Sequence, residues 1–279
     1  MEKTKEELLL ASVRAALDAG RAIMEVYDDP AADFQVELKA DNSPLTIADK
    51  RSNSVITTHL ATTGIPVLSE ESRVMPYAER SGWQRLWVVD PLDGTKEFIK
   101  RNGEFTVNIA LVEDGRPVLG VIYVPVLHEL YWGAAGMGAG KVAGCTADST
   151  FGNIGALAGR SAALPCAKRS GAVVAVASRS HLNEETEAFI SSLSARFGEV
   201  ETVSKGSSLK FCLVAEGAAD VYPRFAPTME WDTAAGQAIA VAAGCRVELA
   251  DLSAPLTYNK ENLLNPWFVV YNPKLDLRQ

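Results

Sequence analysis

The chain has 279 residues, 47% apolar and 22% charged, with a formal charge of −8 and a pI of about 5.1. That describes a globular protein of roughly two domains at about 150 residues each. It buries about 70–75% of its unfolded surface and so needs no disulfide or metal staple. The acidic balance argues against gripping a nucleic-acid polymer, which takes a basic face. It does not exclude a phosphorylated small molecule, because divalent cations held by carboxylates invert the local sign.

The first residues, Met1 to Glu7, mix acids and bases and lack the basic-then-apolar order of a signal peptide. Leu10, Val13, Leu17, Gly20 and Met24 follow at helical spacing. A second helix is predicted from near Ser43-Pro44 through Asp49 and Val55, closed by Gly64-Ile65-Pro66. Strand patterns occupy Pro66-Val67-Leu68 and Leu86-Trp87-Val88-Val89. Phe105 to Val112 and Pro117 to Val126 flank Glu113-Asp114-Gly115-Arg116, a hairpin signal. The longest apolar stretch, Pro117 to Leu127, falls short of the roughly 20 residues of a membrane helix. The glycine-rich run 133–144 reads as a flexible turn between strands.

Periodicity weakens from Thr146 to Lys168, which places a division into an α+β part, 1–150, and an α/β part, 151–279. In the second part strands are predicted at Ala172–Ala177, Val200–Val203, Asp220–Tyr222 and Trp267–Tyr271. Helices are predicted at Glu184–Phe197, Ser207–Ala215 and Asp232–Ala243. Cys145, Cys166, Cys212 and Cys245 stand far apart without a C-x-x-C pair, as reduced core thiols do.

The chemistry concentrates at Trp87-Val88-Val89-Asp90-Pro91-Leu92-Asp93-Gly94-Thr95. An apolar strand delivers Asp90 to its carboxyl end, and Asp93-Gly94 makes a turn. Two carboxylates three residues apart, with a backbone carbonyl between them, suit a hard cation. Free N–H groups at Gly94 and Thr95, opening a helix, suit a phosphate. The plainer alternative is a turn capped by Asp93. Glu70 and Glu71 after a short strand, Asp49 in the first turns of a helix and Asp232 at another helix start each have a structural alternative. Together they occupy strand ends and helix starts, where α/β folds build sites. Pro91 stands where an aspartyl-phosphate phosphatase needs its nucleophile. Neither a P-loop, a zinc motif nor a serine-hydrolase elbow is present.

Ser69-Glu70-Glu71-Ser72, Asp90-Pro91-Leu92-Asp93-Gly94-Thr95 and Trp231-Asp232, in this order, resemble the inositol monophosphatase superfamily of Mg²⁺-dependent, lithium-sensitive phosphatases. Asp90 to Leu111 and Gly206 to Arg224 make it most similar to the 3'(2'),5'-bisphosphate nucleotidases of that superfamily. The resemblance implies a layered α-β-α-β-α sandwich. It implies two or three Mg²⁺ ions on Glu70, Asp90, the Leu92 carbonyl, Asp93 and Asp232. Asp49 and Thr95 would form a hydrogen-bonded pair that, with Glu70, activates water. Gly94 and Thr95 would hold the scissile phosphate, and His181, Ser207, Lys210 and Arg224, with Asp232, the rest of the substrate. Glu230 receives no assigned contact.

The implied reaction is hydrolysis of adenosine 3',5'-bisphosphate to AMP and phosphate, with 3'-phosphoadenylyl sulfate as a further substrate. Two alternatives are an inositol or sugar phosphatase of the same superfamily and a non-catalytic nucleotide sensor. A homodimer and a cytoplasmic location, with peripheral contact at the inner membrane as a variant of it, are likewise only implied.

Overall fold

In the computed structural model, residues 3–31, 33–39, 44–73, 75–167, 171–177 and 183–278 are described. Helix α1 (Lys5–Tyr27) starts at a capping box, in which Thr4 accepts from Glu7 N and the Glu7 carboxylate from Thr4 N. Pro44–Leu45 (β2) pairs antiparallel with Glu37–Leu38 (β1), so α2 (Ile47–Ala61) begins only after its cap, Thr46. That is later than the expected start near Ser43-Pro44.

A seven-stranded sheet follows: β3 (Val67–Ser69), β4 (Arg85–Asp93), β5 (Thr106–Glu113), β6 (Arg116–Val124), β7 (Glu129–Ala134), β8 (Gly138–Val142) and β9 (Ala162–Ala163). They lie in chain order, with β3 parallel to β4 and the other pairs antiparallel. Asp114 and Gly115 turn the β5–β6 hairpin with φ of 47° and 73°, the signs a two-residue type I′ turn requires. Short helices α3 (Tyr77–Arg80), α4 (Thr95–Ile99) and α5 (Ile154–Gly159) occupy connections.

The second sheet holds β10 (Val173–Ala177), β11 (Val200–Ser204), β12 (Val221–Arg224), β13 (Arg246–Leu249) and β14 (Phe268–Tyr271), in the order β11-β10-β12-β14-β13. Strand β10 runs parallel to β11 and β12, and β14 runs antiparallel to both its neighbours, β12 and β13. Its helices are α6 (Glu184–Phe197), α7 (Leu209–Glu216) and α8 (Glu230–Ala242). Helix α7 starts later than expected because Ser207 has φ of 42°, outside the right-handed helical region.

Helices α1 and α2 cover one face of the first sheet; α7 and α8 lie between the two sheets, and α6 covers the far side. This is the α-β-α-β-α order expected. Strand β4 is buried on both faces. Trp87 and Val89 enter the core under α1 and α2, and Leu86 and Val88 the core under α7 and α8. A strand in that position reads as an unbroken apolar run. The expected division at residue 150 falls inside the first sheet, whose edge strand β9 lies at Ala162–Ala163, and α8 packs on β4 to β8. Among the described residues no helix is long and apolar enough to cross a membrane.

Helix α8 carries an active-site candidate, Asp232, and its depth is set by small residues. A Cβ on Gly120 would stand 2.4 Å from the Ala235 carbonyl oxygen and 2.8 Å from the Ala238 Cβ. Gly120→Ala is therefore expected to lower stability by about 1–3 kcal/mol through overpacking, seen as an earlier denaturation midpoint. An unchanged midpoint would contradict this packing.

Candidate active site

Strands β3 and β4 run parallel with Ser69 opposite Val89, and the Glu70 N–H continues the ladder to the Val89 carbonyl at 3.1 Å. Glu70 and Asp90 thereby emerge side by side at the carboxyl ends of adjacent strands. Beyond Asp90, which pairs with Asn108, the register with β5 shifts before Asp93 pairs with Thr106. A bulge of this kind re-aims side chains beside sites, and Pro91, having no N–H, costs the ladder nothing there. The Pro91 carbonyl accepts from Ser52 Oγ at 2.6 Å, and Leu92 N donates to Asp90 Oδ1 at 3.1 Å. Gly94 then takes φ of 96°, where a Cβ would lie 3.0 Å from the Glu104 carbonyl oxygen.

Asp49 stands in the first turn of α2, where its Oδ2 accepts from Thr46 N at 2.7 Å and from the Thr46 hydroxyl. Its Oδ1 lies 3.1 Å from Thr95 Oγ1, which is also 3.3 Å from the Leu92 carbonyl. The Asp49–Thr95 hydrogen bond is thus present. Asp232 occupies the equivalent place in α8 and accepts from Met229 N at 2.7 Å.

Burial is the largest influence on these acids, and it favours their neutral forms. It raises Asp49, Glu70 and Asp90 above the ordinary carboxylate range, Asp90 strongly. Asp90 is also raised by the neighbouring charges of Glu70, Asp93 and Asp232. Asp232 is pushed up to about 8 by burial, then by Asp93. Acids pushed together toward their neutral forms are short of positive charge around them.

One cation already answers part of that shortage. Lys39 lies 2.7 Å from Glu70 Oε1 and also pairs with Glu71; burial opposes its charge, but both glutamates raise its pKa. Among the described residues no three acids, histidines or cysteines already converge on one point at ligating distance. The donors on offer are nonetheless all oxygen, and the excess of buried carboxylate is what a hard divalent cation relieves.

A cavity opens beside Asp93, Gly94 and Asp232, and Ser207, Lys210 and Arg224 also line it. Burial lowers Lys210 to about 8, with Arg224 adding to the effect against Asp93. Its ammonium donates to the Ser207 carbonyl at 2.6 Å and lies 5.7 Å from the Tyr222 ring centroid. Ser207 Oγ and Arg224 Nε are buried without a hydrogen-bond partner among the described residues. Buried donors are normally paired, so these two groups are prepared for an acceptor.

His181, together with Ser178 to Ser180, lies outside the described residues. Glu230 is turned away from the cavity. It is fully buried, accepting from Asn259 N at 2.7 Å and from Lys260 Nζ at 2.7 Å. Three side chains at the site had no role assigned from the sequence. Lys39 needs the β1–β2 ribbon to bring it near Glu70. Ser208 Oγ and Asn108 Nδ2 reach Asp93 Oδ2 at 2.8 and 3.3 Å. Asn108 did leave a signal: with Thr106 it puts polar groups on one face of a strand otherwise apolar on both.

The model of the inositol monophosphatase family matches residues 4–271, and the chain belongs to this family. The 3'(2'),5'-bisphosphate nucleotidase CysQ of Escherichia coli strain K12 is 48% identical over 258 residues, covering 91% of this chain and 96% of that protein. The crystal structure of CysQ from Bacteroides thetaiotaomicron is 55% identical and superposes with a TM-score of 0.89, over 96% of this chain and 98% of that one. An inositol monophosphatase from Anabaena is 25% identical, with a TM-score of 0.67 over 95% and 90% of the two chains.

Proposed function

We propose that this chain is a Mg²⁺-dependent 3'(2'),5'-bisphosphate nucleotidase that hydrolyses adenosine 3',5'-bisphosphate to AMP and phosphate. The observation that carries this reading is a cavity whose lining mixes acids, Asp93, Glu97 and Asp232, with Ser207, Lys210 and Arg224. Among the described residues Ser207 Oγ and Arg224 Nε are buried there without a hydrogen-bond partner. A substrate with one phosphate, held beside the acids, leaves these groups unmet. A second phosphate gives them an acceptor, and a sulfate-bearing analogue makes the same use of them. The relatives named as 3'(2'),5'-bisphosphate nucleotidases support the same choice.

Glu70, Asp90, Asp93, Asp232 and the Leu92 carbonyl are the groups that would hold Mg²⁺, two or three ions by the resemblance. Bound there, Mg²⁺ supplies charge compensation, polarises the phosphoryl group and acidifies water. The backbone N–H groups of Gly94 and Thr95 hold the phosphoryl oxygens. Thr95 Oγ1 takes a proton from the attacking water as its own proton passes along the 3.1 Å hydrogen bond to Asp49. Asp49 is suited to receive it, because burial already favours its neutral form. Displacement in line by water leaves no covalent enzyme intermediate.

Lys210→Ala tests the division of labour. It is expected to raise KM for adenosine 3',5'-bisphosphate roughly 10–100-fold, the scale of losing a hydrogen bond to a charged group. Hydrolysis of small monophosphates should hardly change. Equal losses on both substrates would remove the second-phosphate assignment.

A further inference from the structure

We infer that Ser208 and Asn108 are positioning residues that fix the Asp93 carboxylate. The inference rests on the Mg²⁺-dependent reading above and extends it to two residues given no part in that reading, of which Ser208 also lines the cavity. Thr106, Asn108 and Ser208 are 0%, 1% and 2% exposed. Thr106 Oγ1 donates to Asn108 Oδ1 at 3.0 Å, which fixes the orientation of the amide and turns its Nδ2 toward Ser208 Oγ at 2.9 Å and Asp93 Oδ2 at 3.3 Å.

Ser208 has one proton to give. Its Oγ lies 2.8 Å from Asp93 Oδ2 and 3.1 Å from the Asp232 carbonyl. The shorter, charge-assisted bond takes the proton, and the amide donated by Asn108 polarises the hydroxyl in that direction. Among the described residues, both side-chain hydrogen bonds to Asp93 fall on Oδ2, leaving Oδ1 to face a cation. Ser208, the residue that precedes α7, thus holds an acid of the first sheet. On the same face of β5 as Thr106 and Asn108, Ala110 and Val112 pack into the core against α7 and α8. The polar pair lies at the end of that face nearest the site, where apolar packing gives way to a hydrogen-bonded chain.

The test is calorimetric titration of the folded protein with Mg²⁺ alone, without substrate. Ser208→Ala is expected to bind Mg²⁺ about 10–100-fold more weakly than wild type, the usual effect of removing a group that orients a ligand. Ser208→Thr, which keeps the hydroxyl, should stay within a few-fold of wild type. The Mg²⁺ concentration for half-maximal phosphate release should shift in the same order, with KM for the nucleotide at saturating Mg²⁺ little changed. If Ser208→Ala does not fold, Asn108→Ala carries the same prediction. A folded variant that binds Mg²⁺ as wild type does would overturn the inference. Wild-type protein that binds Mg²⁺ yet releases no phosphate from adenosine 3',5'-bisphosphate counts against the proposed reaction, and the variant series still decides the role of Ser208. Wild-type protein that binds no Mg²⁺ overturns both.

Discussion

Asp90→Asn is expected to reduce kcat by roughly three orders of magnitude or more, the upper range for removing a preorganised electrostatic stabiliser, while the protein folds normally. Asp90 stands where the charges of Glu70, Asp93 and Asp232 all act on it, among the acids of the proposed ion site. The same substitution should raise the melting temperature of Mg²⁺-free protein, because it removes a buried acid that its neighbours repel. The sign of the pH dependence follows. Glu70, Asp90 and Asp232 hold protons in the folded state at pH values where the unfolded chain has lost them. Stability from this cluster is therefore full below the ordinary carboxylate value of 3.8 and falls as pH rises toward the Asp232 value of about 8. Thermal scans should show Mg²⁺ protecting the wild type more at pH 8 than at pH 5, and protecting Asp90→Asn little at either. Wild-type turnover in the variant would remove Asp90 from the centre.

Thr95→Ala is expected to lower kcat by about 10²–10⁴-fold, the range for proton transfer by a positioned group, with little change in KM. The methyl group keeps none of the hydrogen bond to Asp49. The phosphate contacts proposed for residues 94 and 95 come from the backbone and survive. Thr95→Ser, which retains the hydroxyl, should recover most of the rate. Steady-state kinetics with both variants decide the matter: an effect confined to KM would show that Thr95 binds substrate and does not move a proton.

The site was legible wherever local pattern and chemistry coincide. An apolar strand ending in Asp90-Pro91-Leu92-Asp93-Gly94-Thr95 announces acids at a strand end, and Thr46 to Asp49 announces a helix start. Both lie where expected, and the Asp49–Thr95 hydrogen bond joins them across two elements. What stayed hidden depends on tertiary contact. Ser208 meets Asn108 across 100 residues of chain, and Lys39 meets Glu70 across 31. No local period encodes either meeting. Strand β9 escaped because two residues, Ala162 and Ala163, are too short for a period of two to show. Glu230 shows the opposite case: it adjoins Asp232 in sequence, yet the helix turns it inward to hold the loop at Asn259 and Lys260.

The opening charge of −8 includes five acids now gathered at one site: Asp49, Glu70, Asp90, Asp93 and Asp232. On the proposed function, a cation bound there is the condition for accepting a polyanion. Phosphate release measured side by side from adenosine 3',5'-bisphosphate, inositol 1-phosphate and fructose 1,6-bisphosphate, with Mg²⁺ present and after its removal by chelation, tests the account most directly. The expected result is rapid release from the nucleotide alone, lost without Mg²⁺. Preferential release from inositol 1-phosphate, or release from the nucleotide that persists without Mg²⁺, would contradict it.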